Sequence, residues 1–163
     1  MRGMYVDALS FLEDERDAWR PFEVLATLPD EDFVRPVEGA HGWSARDLAV
    51  HLGHGQAHAL DVARELAVSE TSPAYESGER DWEERGGDVV NAEVQAQGAA
   101  LPLEMVRDHV TGIPGDLRGY LTVVPETRWV KNATYRDFFL AETIDHYADH
   151  EGDLAAILAA AGR

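Results

Sequence analysis

The sequence predicts an all-α fold, a four-helix bundle, on the strength of three observations. Apolar residues recur at spacings of three and four along four stretches of about 20–25 residues, as in amphipathic helices. No stretch shows the alternation typical of a β-strand. The length of 163 residues, 45% of them hydrophobic, suits one domain with a sizeable core. We therefore expect a single bundle domain over residues 1–163, with a long connection between its second and third main helices.

The first predicted helix covers residues 4–28. Pro21 lies within it, and because proline lacks an N–H and suits a first helical turn, we expect a kink or a fresh helix there. After an acidic turn at residues 29–32, residues 33–42 contain one proline and two glycines and are predicted to form a loop. The apolar stripe of the helix consists of Tyr5, Ala8, Phe11, Leu12, Trp19, Phe22, Leu25 and Leu28.

The second predicted helix runs from Ser44 to about Val68. Ser44 and Asp47 form a capping-box pattern, in which each side chain bonds the backbone N–H of the other residue. Gly53 and Gly55 weaken the helix by roughly 1 kcal/mol each relative to alanine, but they permit close approach by another backbone or a ligand. The apolar positions of this helix are Leu48, Leu52, Leu60, Val62 and Leu66.

The middle of the chain is predicted to hold the long connection and the third main helix. Residues 69–88 are polar and form the connection, which can cross the bundle end and make the second and third main helices parallel. Residues 89–100 are weakly helical. The third main helix follows Pro102 and carries an apolar stripe from Leu103 to Leu121, with a kink expected at Pro114.

The fourth predicted helix covers about Tyr135 to Ala160 and follows a loop at residues 125–133. Thr134 and Asp137 repeat the capping pattern at its start, and Gly162 ends it. Its packing positions are Phe138, Phe139, Ile144, Tyr147, Leu154, Ile157 and Leu158.

Composition excludes several classes of function. The formal net charge of −17, from 31 acidic and 14 basic residues, argues against nucleic-acid binding, which requires clustered Lys and Arg. No apolar run reaches the roughly 20 residues that span a bilayer, and residues 1–7 lack the features of a signal peptide. We therefore expect a cytoplasmic protein with no membrane partner. The absence of cysteine excludes disulfides, thiolate metal ligands and a cysteine nucleophile.

Three histidines are the candidate metal ligands. His146 and His150 are four residues apart, so both imidazoles lie on one helical face and can reach one metal ion. A third imidazole, from His51 on a facing helix, would leave coordination positions free, as in catalytic metal sites. The alternative is a solvated helix face, on which Asp145 and Asp149 would raise the imidazole pKa values without any metal.

Two motifs resemble the DinB/YfiT superfamily, which includes the N-terminal domain of mycothiol-dependent maleylpyruvate isomerase. The first is Trp-Ser-x-x-Asp-Leu-x-x-His-Leu from Trp43 to Leu52, and the second is His-x3-His-x2-Asp-Leu from His146 to Leu154. The resemblance implies a four-helix bundle that holds zinc, nickel or a related divalent ion, with water in the remaining positions. It further implies that the metal ligands are His51, His146 and His150, and that the protein forms a homodimer, although no apolar stripe requires one.

The remaining histidines are less favoured as metal ligands. His54 and His58 share a stripe with His51, but the register from the tryptophan favours His51. His54 and His58 could line a pocket, bind a substrate carboxylate or face solvent, and for His58 we expect solvent. His41, in the loop, and His109, on the third helix, have no partner pattern and are interpreted as structural residues.

Three neighbours of the histidines have two interpretations each. Asp47 either caps its helix or, one turn before His51, orients that imidazole, and we favour the cap. Glu142 stands in the same relation to His146. Trp43 is expected to be a packing anchor at the junction of loop and helix, with contact to a ligand as the alternative.

The expected activity is that of a divalent-metal enzyme acting on a small molecule, with metal-bound water or an external thiol as nucleophile. Because the chain has no cysteine, any thiol must be a small cofactor, and the resemblance implies mycothiol, bacillithiol or a similar thiol. We expect thiol transfer to an electrophilic metabolite or toxin. The alternatives are metal-assisted hydrolysis, a non-catalytic stress-response bundle that binds metal or ligand, and an acidic bundle that only dimerises. The residues alone do not assign a catalytic group.

Overall fold

The computed structural model describes residues 5–163, and within that range every regular element is helical. The all-α fold class is confirmed, and the helices pack as a bundle around α3. No helix in the described range is both long enough and apolar enough to span a bilayer. The α-helices are α1 (Ala8–Trp19), α2 (Asp30–Val34), α3 (Ala45–Val68), α4 (Pro73–Arg85), α5 (Gly87–Ala99), α6 (Leu103–Val123), α7 (Ala133–Glu142), α8 (Ile144–Asp149) and α9 (Glu151–Ala160), and 3₁₀ helices cover Arg20–Thr27, Glu38–Ala40 and Glu126–Arg128.

The first predicted helix is two helices. The side chain of Asp7 caps α1 by accepting the backbone N–H of Ser10 at 2.8 Å. The chain then continues as the 3₁₀ helix Arg20–Thr27, whose first turn holds Pro21, so the fresh helix expected at this proline is confirmed. Met4, where the predicted helix begins, lies outside the described residues.

Helix α3 is the central element and follows the prediction. Ser44 Oγ accepts the N–H of Asp47 at 3.1 Å, and Asp47 Oδ2 accepts the N–H of Ser44 at 2.9 Å, so both halves of the capping box are present. The predicted capping role of Asp47 is confirmed. The helix packs on α6 and also contacts α4, α5, α7 and α9. Its buried side chains include Leu48, Leu52, Leu60, Val62 and Leu66.

The long connection predicted at residues 69–88 is helical rather than irregular, because these residues form α4 and the start of α5. Ser72 caps α4 and Pro73 occupies its first turn. Glu65 on α3 holds the N-terminal end of α4 in place, because it accepts hydrogen bonds from the Ser72 hydroxyl at 2.6 Å and the Ala74 N–H at 2.8 Å. Gly86, with φ +83°, separates α4 from α5. No α4 residue is fully buried, and a helix without a buried stripe gives no amphipathic pattern.

Helix α6 remains continuous where a kink was expected at Pro114. Proline has no N–H to donate to the carbonyl four residues earlier, which is that of Val110. The indole Nε1 of Trp19 donates to the Val110 carbonyl at 2.8 Å instead, inside the protein. A side chain of α1 therefore satisfies the acceptor that the proline leaves free.

The fourth predicted helix is broken into α7, α8 and α9, so its continuity was predicted wrongly. It begins two residues early, because Asn132 rather than Thr134 caps it and accepts the Tyr135 N–H at 3.2 Å. The first break is at Thr143, where φ is −123° and ψ is −97°, and the second is at His150, where φ is −110° and ψ is 10°. The chain does end its helix before Gly162, which has φ +76°.

The core contains a buried polar network between its two apolar clusters. The clusters centre on Trp19 with Phe22 and on Phe11 with Trp129. The polar group, here called the Glu15 network, consists of Glu15, Gln56, Arg118 and Tyr147. The Tyr147 hydroxyl donates to Glu15 at 2.9 Å and accepts from Gln56 Nε2 at 2.9 Å, and Arg118 donates to Glu15 from α6. The network thus joins α1, α3, α6 and α8.

Candidate metal centre

The structure brings together the three histidines that the sequence singled out. His51 lies in the second turn of α3, His146 lies on α8, and His150 lies at the junction of α8 and α9. One ring nitrogen from each lies within 4.8 Å of the others, and the Nε2 atoms of His51 and His146 are 2.9 Å apart. These residues, here called the three-histidine cluster, have ring centroids separated by 4.8, 4.8 and 5.1 Å.

Burial keeps two of these imidazoles uncharged. Burial, together with the neighbouring histidines, lowers the pKa of His51 to about 3. Burial likewise lowers the pKa of His146 to about 4, against the opposing effect of Asp149. The alternative in which acidic neighbours raise the imidazole pKa values of the last helix is therefore wrong for His146. Neutral imidazoles have a free lone pair, which is the form that binds a metal.

The donor set of the cluster fits a divalent transition metal. All three ligand atoms are imidazole nitrogens, and imidazole suits zinc, nickel, copper and iron. Two uncharged rings point their Nε2 atoms at each other, and a shared cation stabilises such an arrangement. Within residues 5–163 no other group of three metal-ligating side chains comes together in this way. The cluster could therefore hold a metal through three protein ligands.

Asp153 holds one ring of the cluster in place, and sequence reasoning did not assign it a role. His150 Nδ1 donates to Asp153 Oδ2 at 2.8 Å, which directs the other ring nitrogen toward the cluster. The second carboxylate oxygen of Asp153 contacts His41 Nδ1 at 3.0 Å. Asp153 is only 7% exposed. The partnerless interpretation of His41 is therefore wrong, and the spacing of three between His150 and Asp153 was the available signal for this pair.

Trp43 forms one wall of the cluster. His41 and Gly42 have φ of +59° and +82°, a tight turn that brings the next residue back over the helix. The Trp43 ring lies 4.9 Å from the His51 ring and stacks on His150 at 5.8 Å with an interplanar angle of 16°. The tryptophan packs into the core, as predicted, and in addition shields two ligand rings from water.

A cavity of about 840 Å³ lies on the other side of the cluster, between α3, α4, α5 and α7. His51 and His146 line it, so two candidate ligands face this space. His54 and His58 line it as well. The expectation that His58 faces solvent is wrong, since its ring packs edge-on to Phe138 with centroids 5.2 Å apart. Burial lowers the pKa of His58.

Gly55 allows this crowded side of the cavity to form. A Cβ at that position would lie 2.8 Å from Glu142 Oε2 and 3.3 Å from His146 Nδ1. The predicted close approach at Gly55 is thus confirmed, whereas Gly53 has open space around it. Glu142, one turn before His146, has a carboxyl pKa raised to about 7 by burial and by the charge of Glu79.

The comparisons with known proteins point to one family. No curated protein and no solved structure significantly matches the chain. The family described as the mycothiol maleylpyruvate isomerase N-terminal domain matches residues 12–155, a span that contains the three-histidine cluster, Asp153 and the lining of the cavity. Because the match covers most of the chain and agrees with the resemblance of its two histidine motifs, this protein belongs to the mycothiol maleylpyruvate isomerase N-terminal domain family, a DinB/YfiT-like family.

Proposed function

We propose that the protein is a divalent-metal-dependent enzyme that transfers a low-molecular-weight thiol to a small electrophile. The observation that carries this proposal is the opening of the three-histidine cluster onto a cavity of about 840 Å³. Cavities of roughly 300–1,000 Å³ are typical of small-molecule sites. The mycothiol in the family's name supports a thiol as one of the two substrates.

In this proposal His51, His146 and His150 hold the metal, which is zinc or nickel. A bound divalent ion supplies positive charge that favours the thiolate form of a thiol at neutral pH. Asp153 keeps the His150 ring in its orientation through the bond to Nδ1. Trp43 covers one side of the cluster, whereas His51 and His146 line the cavity, so a reactant in the cavity can reach these two ligands.

The transfer balances without any redox partner. The chain has no cysteine, so the thiol comes from solution. The bond between sulfur and the electrophilic carbon forms as the bond from that carbon to the leaving group breaks. The leaving group takes the electron pair, and the thiol proton passes to water. The role of the cavity is to hold thiol and electrophile together in reacting geometry.

Two other functions predict different outcomes. A metal-assisted hydrolase would use water in place of the thiol and would release a cleaved substrate. A non-catalytic metal-binding bundle would need no space for a reactant, and the polar cavity beside the cluster counts against it. The same incubation distinguishes the three functions, because conjugate, cleaved product and unchanged substrate are separate species.

The test uses full-length protein loaded with zinc or nickel and incubated with mycothiol, bacillithiol or glutathione. The electrophile is monobromobimane or 1-chloro-2,4-dinitrobenzene, and the conjugate is quantified by chromatography. We expect conjugation by the wild type that His51→Ala abolishes and His109→Ala retains. His109 is the matched control, because it lies on α6 away from the cavity lining. Conjugation no faster than that of His51→Ala with every thiol would overturn the proposed activity.

A further inference from the structure

The charged side chains that line the cavity are mostly negative. Arg85 is the only Lys or Arg among the lining residues that the structure describes. Against it stand five carboxylates. A space lined in this way favours cations and repels anions, because low-dielectric walls focus the field of the lining charges. The five carboxylates belong to Asp61, Glu79, Asp81, Glu93 and Glu142.

Arg85 is already neutralised by two of these carboxylates. Its Nε and Nη2 donate to Asp81 at 2.6 and 2.8 Å, and its Nη1 donates to Glu93 at 2.5 Å. The guanidinium is therefore not free to hold an anionic ligand. Asp61 has a partner as well, since its carboxylate lies 3.7 Å from Arg64.

Glu79 and Glu142 are the two carboxylates left without a counter-charge. Within residues 5–163 neither side chain makes a hydrogen bond or an ion pair, although both line the cavity. They come from different helices, α4 and α7, and lie close enough for the charge of one to act on the other. The charge of Glu79 disfavours ionisation of Glu142, and a positive group beside both carboxyls favours the ionised form of each.

Trp82 adds an apolar surface beside these carboxylates. The residue is 52% exposed although it is large and aromatic, and it lines the same cavity. Its ring lies against Gly87, where a Cβ would come within 2.6 Å of the ring. An indole face attracts cations and also covers hydrocarbon. Close packing on Gly87 holds that face in position at the cavity.

We propose that the cavity selects a small substrate with a cationic nitrogen, an ammonium or amidinium group placed between the Glu79 and Glu142 carboxylates, with its hydrocarbon part on Trp82. This inference rests on the proposed function, because it takes the cavity as the substrate site. In this inference the positive charge is on the electrophile and not on the thiol. Dicarboxylates and phosphates are disfavoured at the Glu79 and Glu142 side of the cavity, since no free Lys or Arg of the described lining compensates them there.

The test compares three probes of similar size and different charge: benzyltrimethylammonium, benzyl alcohol and phenylmethanesulfonate. A quaternary ammonium has no lone pair, so its binding cannot report coordination to a metal. Dissociation constants are measured by calorimetric titration of full-length protein, both metal-free and zinc-loaded. We expect the cation to bind about tenfold more tightly than the alcohol, the sulfonate not to bind, and added salt to weaken only the cation.

The variants test the two carboxylates one at a time. Glu79→Gln and Glu142→Gln should each weaken binding of the cation by about fivefold without changing binding of the alcohol. Glu83→Gln is the matched control, because Glu83 lies on α4, is exposed and does not line the cavity. Glu142→Gln should also leave the zinc affinity within about twofold of the wild type, since a metal ligand would lose at least tenfold.

Three results would overturn the inference: binding of the sulfonate as tight as that of the cation, equal weakening by Glu83→Gln, or loss of zinc binding in Glu142→Gln. The last result would make Glu142 a metal ligand. Failure of the proposed function is distinguishable. Wild-type protein that binds the cation but neither takes up zinc nor forms a conjugate retains the cation site and rejects the metal-dependent activity.

Discussion

Two buried polar regions lie on adjacent residues of α8 and have opposite properties. Tyr147 joins the Glu15 network, where its hydroxyl has both a donor and an acceptor. His146 joins the three-histidine cluster, where two uncharged rings point nitrogens at each other beside an open cavity. Burial and the charge of Glu15 raise the pKa of Tyr147 well above its ordinary value, so it stays protonated.

The difference shows how a polar group inside a protein reveals its role. In the Glu15 network the Glu15 charge is matched by Arg118, and Glu15 is 1% exposed. Such a region stabilises the native packing because its charges are paired, although Gln56 Oε1 is buried without a hydrogen-bond partner, and breaking the ion pair leaves a charge alone. In the cluster the uncharged imidazoles of His51 and His146 have only each other as a described hydrogen-bond partner, across 2.9 Å. We infer that the first region is structural and that the second is completed by a ligand.

The largest expected effect comes from breaking the Glu15 network. Glu15→Ala leaves the Arg118 guanidinium without its carboxylate and should lower the free energy of unfolding by about 3–5 kcal/mol, measured by urea denaturation of metal-free protein. Glu13→Ala, an exposed neighbour on α1, should change it by no more than about 0.5 kcal/mol. Zinc affinity of the folded fraction should stay unchanged. Equal stability of Glu15→Ala and wild type would refute the contrast between the two regions.

The next largest effect is expected from breaking the three-histidine cluster. Zinc at a hundred times its dissociation constant should stabilise the wild type by about 2.7 kcal/mol, and His51→Ala should lose this stabilisation. The metal-free variant should unfold within about 1 kcal/mol of the wild type, because the removed ring has a single described hydrogen-bond partner, His146 Nε2 at 2.9 Å. His109→Ala serves as the control and should keep the full zinc effect. The pair of denaturation curves, with and without zinc, gives both numbers.

Asp153 tests the comparison from outside the cluster, because it bonds His150 without being a candidate metal ligand. Asp153→Asn removes the charged acceptor that orients His150 and should weaken zinc binding by about 10–100-fold, measured by competition with a chromophoric chelator. Asp149→Asn, at an exposed position nearby, is the matched control. If both variants bound zinc like the wild type, orientation of His150 would not depend on Asp153.

The last expected effect is a pH dependence of the metal-free protein. His51 has a pKa of about 3 when folded and an ordinary value near 6.5 when unfolded, so between these values the unfolded chain binds more protons. The contribution of His51 to stability is therefore constant above pH 6.5 and falls as the pH drops toward 3. The wild type should lose stability faster than His51→Ala between pH 7 and pH 4.5, as followed by denaturant titration. Parallel pH profiles would contradict the depressed pKa.

Local signals explain what was predictable in the fold. The capping box of Ser44 and Asp47 and the apolar spacing of α3 are both encoded within a few residues, and both are observed. Helix α4 was missed because no buried stripe marks it and its stability depends on Glu65 from another helix. The helix breaks at Thr143 and His150 were not predicted either, since neither residue type by itself interrupts a helix.

Helical periodicity and motif register predicted the all-α fold class, the family and three candidate ligands, because both are properties of neighbouring residues. Which of the buried polar groups are satisfied depends instead on contacts between distant parts of the chain. His41 meets Asp153 across 112 positions of the chain, and His51 meets His146 across 95. Pairing at such separations depends on how the helices pack, and packing also determines whether a polar group is bonded or left facing a cavity.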